Sequence, residues 1–425
     1  MPEPELTFED GLDGEESDDR ERGASEPAMV IDDDDRYSRL RLIPWWRQER
    51  LAAAKVLVVG AGALGNEAIK NLALLGVGTI YVIDLDEVEA SNLSRSVLFR
   101  ARDGGRGKAE VAAERALEIN PEIRIIPIHG DVITDLGLGW FADMDVVIGC
   151  LDNREARLWV NRQCWKVGTA WVDSGIQEIQ GVVKVFDSRV EGTACYECAM
   201  TARDYQLLNL RYSCPLLRRD QILEGKVPTA PTIASMMAAL EVQEALKLIH
   251  GLAVEPGMAM VFNGVTNQFY KTRLPYREEC LSHERYPEAE ILAIGHDARA
   301  TELFRLAGVE LRGALTIGLE RELVVGVECP RCGWRIEVMR PRTKVGISEA
   351  VCPSCHEAGR PEIVSEVGMN SALAERRLSE LGVPAYDVVR VEGEEGTGFY
   401  LLGGDRAGNE AKWGLGGTRI EGGRG

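Results

Sequence analysis

Residues 55–65 read KVLVVGAGALG. A continuous apolar run that ends in glycines is what a strand buried on both faces of a parallel sheet requires. Gly60, Gly62 and Gly65 stand in G-x-G-x-x-G spacing. Leu64, Ala68, Leu72 and Leu75 then recur at helical spacing until Gly76 stops the helix. Downstream, TIYVID (79–84), IRIIPIHG (123–130), DVVIGCLD (145–152) and TAWVDSGI (169–176) read as buried strands, with helices over 108–119 and 154–167. Alternating strands and helices predict βαβ units and an α/β fold built on a Rossmann-like doubly wound sheet. GVVKVFD (181–187) extends it. About 40 irregular residues then lead to Pro231, a long apolar helix to about 250, and strand-like stretches at 258–263 and 268–274.

The chain has 425 residues, enough for two or three domains. Its 49 Lys+Arg against 68 Asp+Glu give a net charge of −19, which argues against a nucleic-acid binder. Residues 1–35 hold 15 acids and 2 basic residues, which leaves −6 for the rest, and this segment is expected to be a disordered, solvating acidic tail. No run of about 18 apolar residues and no signal peptide is visible, so neither a membrane nor a secreted protein is expected. The boundaries expected from composition are a first domain over 36–287, a small domain over 288–364, and a Gly- and charge-rich segment over 365–425 with one helical piece near 371–381.

Glycines at the turn let the backbone approach a ligand, and the following helix offers its N–H groups to anionic oxygen. Asp84 closes the second strand, where a carboxylate can accept from ribose hydroxyls. This motif by itself fits an NAD-linked oxidoreductase equally well. Asp86, Asn92, Arg95 and Lys108 follow, and the fourth strand ends in Asp152-Asn153. Two cations and an amide aimed at one crevice suit a triphosphate whose pyrophosphate must leave. Asp152, at the carboxyl end of a strand, can hold Mg²⁺. A non-catalytic zinc scaffold on a dead nucleotide fold is the remaining alternative, and the intact ATP set counts against it.

Six of the ten cysteines fall in three C-x-x-C pairs, a spacing that suits metal in a reducing cytoplasm better than a disulfide framework. Cys329-Pro-Arg-Cys332 and Cys352-Pro-Ser-Cys355, 19 residues apart, read as a zinc ribbon. Four thiolates fill a tetrahedral ion and leave no open position for catalysis. Cys150 and Cys164 read as core residues. His129, His250, His296 and His356 form no pattern, and Trp45-Trp46 suit packing or a dimer interface.

RYSR (36–39), GAGALG (60–65), DLDEVEASNLSR (84–95), Lys108, CLDN (150–153), ACYEC (194–198) and PTIASMMAALEVQEALKLI (231–249) together resemble the ThiF-type adenylating enzymes. That family includes molybdopterin-synthase adenylyltransferase and the ubiquitin-activating enzymes. The likeness covers roughly 36–275. It implies that Gly60, Gly62 and Gly65 line the ATP phosphates, Asp84 takes the ribose and Asp86 assists. Asn92, Arg95 and Lys108 would bind and polarise the phosphates, with Asp152 and Asn153 at the Mg²⁺ end. Arg39 would reach a neighbour's site across a homodimer interface. Cys195 and Cys198 match the family's first zinc pair. In place of its second pair stands Cys280-Leu-Ser-His283, a departure that still supplies two zinc ligands. Cys214, in the crossover before the long helix, stands where ubiquitin-activating members place a thioester-forming cysteine, with Arg211, Arg218 and Arg219 nearby in sequence. The implied activity is ATP-dependent adenylation of the terminal glycine of a ubiquitin-like β-grasp protein, then thioester formation on Cys214. The alternative is adenylation of a sulfur carrier for molybdopterin or thiamine synthesis.

Overall fold

The computed structural model describes residues 34–206, 228–406 and 408. The described residues up to Trp46 belong to a unit of their own. It comprises a one-turn 3₁₀ helix (Leu40–Leu42), an Arg41–Asp35 ion pair of 2.9 Å, and the tilted ring pair Trp45–Trp46.

The second unit, from Arg47 onward, opens with α1 (Gln48–Ala53), β1 (Lys55–Val59), α2 (Ala63–Leu75) and β2 (Thr79–Asp84). Val56–Val59 are at most 2% exposed, as a strand flanked on both edges and covered on both faces must be. In α2, Leu64, Ala68, Ile69 and Leu72 face the core, and Gly76, at φ +73°, ends the helix in the left-handed conformation. Next come α3 (Lys108–Ile119), β3 (Arg124–His129), α4 (Leu138–Ala142), β4 (Val146–Gly149), α5 (Arg154–Val167) and β5 (Trp171–Gln177). These strands pair in the order β3-β2-β1-β4-β5, all parallel, as expected from the βαβ pattern.

The sheet then changes character. β6 (Gln180–Phe186), β7 (Met258–Asn263) and β8 (Gln268–Arg273) add antiparallel strands, giving eight in all. The β5–β6 hairpin turns through Glu178 at φ +54°. Its tip meets the returning chain, where Glu178 N–H donates to Pro228 O (2.6 Å) and Ala230 N–H donates to Glu178 O (3.0 Å). α6 (Pro231–His250) starts there, with Pro231 in its first turn and Gly251 as its left-handed stop.

A second sheet follows, from β9 (Glu290–Leu292), α7 (Ala300–Leu311), β10 (Thr316–Glu328), β11 (Arg335–Pro341), β12 (Arg360–Gly368), β13 (Val388–Gly393) and β14 (Gly396–Leu402). Its order is β11-β10-β13-β14-β9, with β12 also on β10. The boundary expected at 364 falls inside β12, which runs along β10 from Arg360↔Glu328 to Gly368↔Thr316. The cysteine-rich module and the following segment therefore share one sheet. The expected helix at 371–381 is a single 3₁₀ turn (Ala372–Glu375). Its backbone is claimed elsewhere: Arg376 O accepts from Ala300 N–H (3.0 Å) and Leu378 N–H donates to Ala298 O (2.9 Å), pairings that a helix forbids.

The two sheets share a core. Tyr386 and Val388 pack with Trp140, Phe141 and Ile126 of the first sheet's cluster, and Trp140 meets Tyr386 edge-on at 4.9 Å. Arg321, on β10, crosses the joint. Its guanidinium donates to Asp387 (2.8 Å) and to the carbonyls of Leu136 (3.0 Å) and Ile133, while Asp387 Oδ1 accepts Leu138 N–H (2.6 Å).

Candidate active site and metal centres

β1 and β4 are neighbours whose helices leave toward opposite faces, so a crevice opens outside their carboxyl ends, the usual ligand position in an open α/β sheet. Gly60 holds φ +98°, and a Cβ there would overlap the Cys150 carbonyl; a Cβ on Gly65 would overlap the Gly60 carbonyl. Both glycines are dictated by the packing of loop, helix and β4. Gly62 is different. A Cβ there would meet nothing within 4 Å, so its smallness leaves open space at the N-terminus of α2. That cradle, with the unpaired first N–H groups of a 13-residue helix, fits a phosphate chain.

Asp84 receives two backbone donors, Ala61 N–H on Oδ2 (2.6 Å) and Asp86 N–H on Oδ1 (2.8 Å). Burial pushes its carboxyl above the ordinary value, against the pull of Lys108 and the two amides. Lys108, the first residue of α3 and buried along its stem, places Nζ 2.7 Å from the exposed Asp86 carboxylate. Asn92 is buried and closes a one-turn 3₁₀ helix by accepting Glu89 N–H (2.9 Å). Arg95 donates to Ser91 O (2.9 Å) on the same turn. Asp152 is exposed, accepting one long bond from Asn153 Nδ2 (3.3 Å). Asn153 also shapes the helix that follows, because its Oδ1 caps α5 by accepting Ala156 N–H (2.8 Å). An exposed carboxylate at the crevice rim suits Mg²⁺, which keeps waters and substrate oxygens beside one or two protein ligands.

Three residues that motif reading passed over, Asn66 and Glu241 fully buried and Arg157 half-buried, organise this crevice. Asn66, an amide on the buried face of α2, donates to Ala61 O (2.7 Å) and accepts Leu98 N–H (2.8 Å), tying the glycine loop to the segment that carries Asn92 and Arg95. Arg157, in the first turn of α5, reaches the chain just past β4 at Leu151 and the middle of β5 at Asp173 and Ser174. Glu241, fully buried on α6, lies with Oε2 3.5 Å from Cys150 Sγ, while its Oε1 has no hydrogen-bond partner. The only available signal was a polar side chain within an apolar helical stripe.

Burial, reinforced by the nearby Asp173 charge, pushes the Glu241 carboxyl well above the ordinary range. A carboxyl raised in the folded state keeps its proton where the unfolded chain releases it. Stability therefore falls as pH rises from the ordinary value near 4.5 toward the raised one. Glu241→Gln mimics the protonated form without titrating. It is expected to melt above the parent at pH 8, with the gap closing as pH falls toward 4.5. A constant gap across that range in thermal melts rejects the assignment.

The metal-ligand sets assemble as two compact clusters. Cys195 Sγ lies 3.7 Å from Cys198 and 3.6 Å from Cys280, and Cys198 Sγ lies 3.3 Å from His283 Nε2. In the ribbon, Cys329–Cys355 and Cys332–Cys352 are both 3.5 Å apart and Cys332–Cys355 3.9 Å. All ligand atoms of each set lie within 4.8 Å of one another. A tetrahedron with Zn–S bonds of about 2.3 Å has edges of about 3.8 Å, so both donor sets fit zinc. His283 stands in the first cluster as a fourth donor, its ring stacked between Trp165 and Tyr276. Glu197, between the paired cysteines, accepts from Arg162 (2.9 Å), Tyr205 (3.0 Å) and Ser282. Burial would push its carboxyl up, but these bonds and the Arg162 charge hold it below the ordinary value.

Cys150 and Cys164 are buried, and burial pushes both thiols well up, as core cysteines require. Arg39 is exposed and precedes the 3₁₀ turn of the first unit. Cys214, with Arg211, Arg218 and Arg219, lies outside the described residues. Among those residues, no helix is long and apolar enough to cross a membrane.

A family model described as the ThiF family matches residues 35–282. Over 151 residues the chain is 40% identical to SUMO-activating enzyme subunit 2 of Dictyostelium discoideum, covering 35% of this chain and 22% of that one. Over 248 residues it is 29% identical to the sulfur carrier protein ThiS adenylyltransferase of Escherichia coli (strain K12), covering 58% of this chain and 93% of that one. The chain thus spans about a quarter of the length of the SUMO-activating relatives and nearly all of the ThiS relative. Among solved structures, the crystal structure of E. coli MccB with succinimide aligns at a TM-score of 0.49 and 24% identity, over 58% of this chain and 74% of that one.

Proposed function

The chain belongs to the ThiF family, and from that premise we propose that it adenylates the terminal glycine of a ubiquitin-like β-grasp protein and passes the acyl group to Cys214. The observation that carries this reading is the crevice at the β1/β4 switch point. A glycine cradle open only at Gly62 lies beside the strand end that presents Asp152, and Lys108 and Arg95 follow on the connections from β2 to α3.

In the proposed reaction, the partner's terminal carboxylate attacks the α-phosphorus of ATP. A new acyl–phosphate bond forms, the bridging α–β P–O bond breaks, and pyrophosphate leaves with the electron pair. The N-terminus of α2, Lys108, Arg95 and the Asn92 amide hold the triphosphate in line, and Asp84 takes the ribose. Mg²⁺, held through Asp152, would supply charge neutralisation on the departing phosphates. No protein nucleophile is needed for this step, so positioning and charge carry it. The Cys214 thiolate would then attack the acyl carbon and expel AMP. The reading includes a homodimer in which Arg39 reaches the partner's crevice, zinc in both cysteine clusters and a cytoplasmic setting.

Intact-mass spectrometry tests it. The protein is mixed with Mg-ATP and Gly-Gly-ending ubiquitin-like candidates from the same source. The expected product is a reductant-sensitive covalent adduct that disappears in Cys214→Ala. The match across 93% of the ThiS adenylyltransferase favours one second reading, sulfur-carrier activation. Carrier-dependent AMP and pyrophosphate release with no adduct would select that reading and return Cys214 to structure.

A further inference from the structure

The Asp152 carboxylate is exposed, but the chain on either side of it is held. Cys150 N–H donates to Val59 O of β1 (2.9 Å), Cys150 Sγ faces Glu241 (3.5 Å), and Asn153 caps α5 (2.8 Å). The remaining contact is Arg157. Its Nη2 donates to Leu151 O (2.5 Å), the carbonyl directly before Asp152, and to Ser174 O (2.8 Å) on β5. Its Nε donates to Asp173 Oδ1 (2.9 Å), and Asp173, fully buried opposite Gly149 in the sheet, takes Lys184 Nζ on its other oxygen (3.2 Å). One planar guanidinium thus joins the first turn of α5, the end of β4 and the middle of β5.

We propose that Arg157 is a positioning residue that fixes the Leu151–Asp152 backbone so that the Asp152 carboxylate meets a divalent cation and the nucleotide phosphates in one geometry. The proposal rests on the reading of Asp152 as the Mg²⁺ ligand. The physical case is the mismatch between burial and use. A cation and a fully buried carboxylate are costly to desolvate, and the cost is offset only where the pair is fully bonded. Here the bonded acceptors include two main-chain carbonyls, one directly before Asp152 and one inside β5, and only a fork with several fixed donors spans them together with Asp173. A lysine preserves the charge opposite Asp173 but presents its donors from a single nitrogen.

The test is the Mg²⁺ dependence of nucleotide binding to the full chain, followed by calorimetry with a non-hydrolysable ATP analogue at increasing free Mg²⁺. Parent, Asp152→Ala, Arg157→Lys and Asp173→Asn are compared. Arg157→Lys is expected to raise the half-saturating Mg²⁺ concentration roughly tenfold, the lower end of what outer partners of a metal ligand contribute. Binding in EDTA should stay at the parent value. Asp173→Asn, which loosens the fork from its other end, should move the midpoint the same way by less. A purely structural Arg157 would lower the melting temperature without moving the Mg²⁺ midpoint, and that result overturns the proposal. If Asp152→Ala shifts the midpoint and neither other variant does, the positioning role fails and the function stands. If Asp152→Ala leaves it unchanged, the reading of Asp152 fails and the inference falls with it.

Discussion

Asp152→Ala is expected to lower carrier-dependent pyrophosphate release by roughly 10²–10³-fold, the loss typical when one preorganised electrostatic stabiliser is removed. The fold should not change. The side chain is exposed and accepts a single 3.3 Å bond from Asn153, which still caps α5 in the variant, and surface substitutions away from buried features usually shift stability by no more than about 0.5 kcal/mol. The expected signature is therefore a large drop in rate at an unchanged melting temperature, with a steeper dependence on free Mg²⁺. A variant that turns over at the parent rate would remove Asp152 from the chemistry. It would shift attention to Asp86, another exposed carboxylate near the crevice, which pairs with Lys108 in this structure.

The largest stability effect is expected away from the crevice, at the joint between the sheets. Arg321 and Asp387 are each about 5% exposed, and between them they satisfy three main-chain groups of the segment around α4. Arg321 also lies over the Trp159 ring at 4.7 Å. Arg321→Ala leaves the Asp387 carboxylate buried without its cation and orphans two carbonyls, so a loss of about 3–5 kcal/mol is expected in denaturant melts. Replacing both partners, Arg321→Met with Asp387→Leu, should recover only the part due to the stranded charge, because the Ile133 and Leu136 carbonyls and the Leu138 N–H stay unpaired. A loss under about 1 kcal/mol in the single variant would mean that the apolar contacts of Tyr386 with Trp140 hold the sheets together alone.

The parallel half of the first sheet was legible because each of its strands is a short apolar run next to a glycine or an acid, and each helix has its own stripe and stop. The helices over 108–119 and 154–167 match α3 and α5 residue for residue. Local chemistry also marked the glycine loop and both cysteine sets. Spacing could not show whether His283 joins its cluster, since it meets cysteines 85 residues away only after β7 and β8 fold back. The expectation failed at 371–381, where helical periodicity yielded to backbone pairing with 298–300, and at 364, where a compositional boundary cut through β12.

What the sequence alone determined is therefore whatever depends on neighbours a few residues apart: strand, helix, turn, tail charge and the residue types of the candidate site. Tertiary structure decided which of those residues share a bond. It made Arg157 a clamp, Glu241 a buried acid and Arg321 the link between sheets, because each acts on groups brought near by pairing distant strands and helices. Such partners satisfy buried charge and backbone, and periodicity carries no record of them.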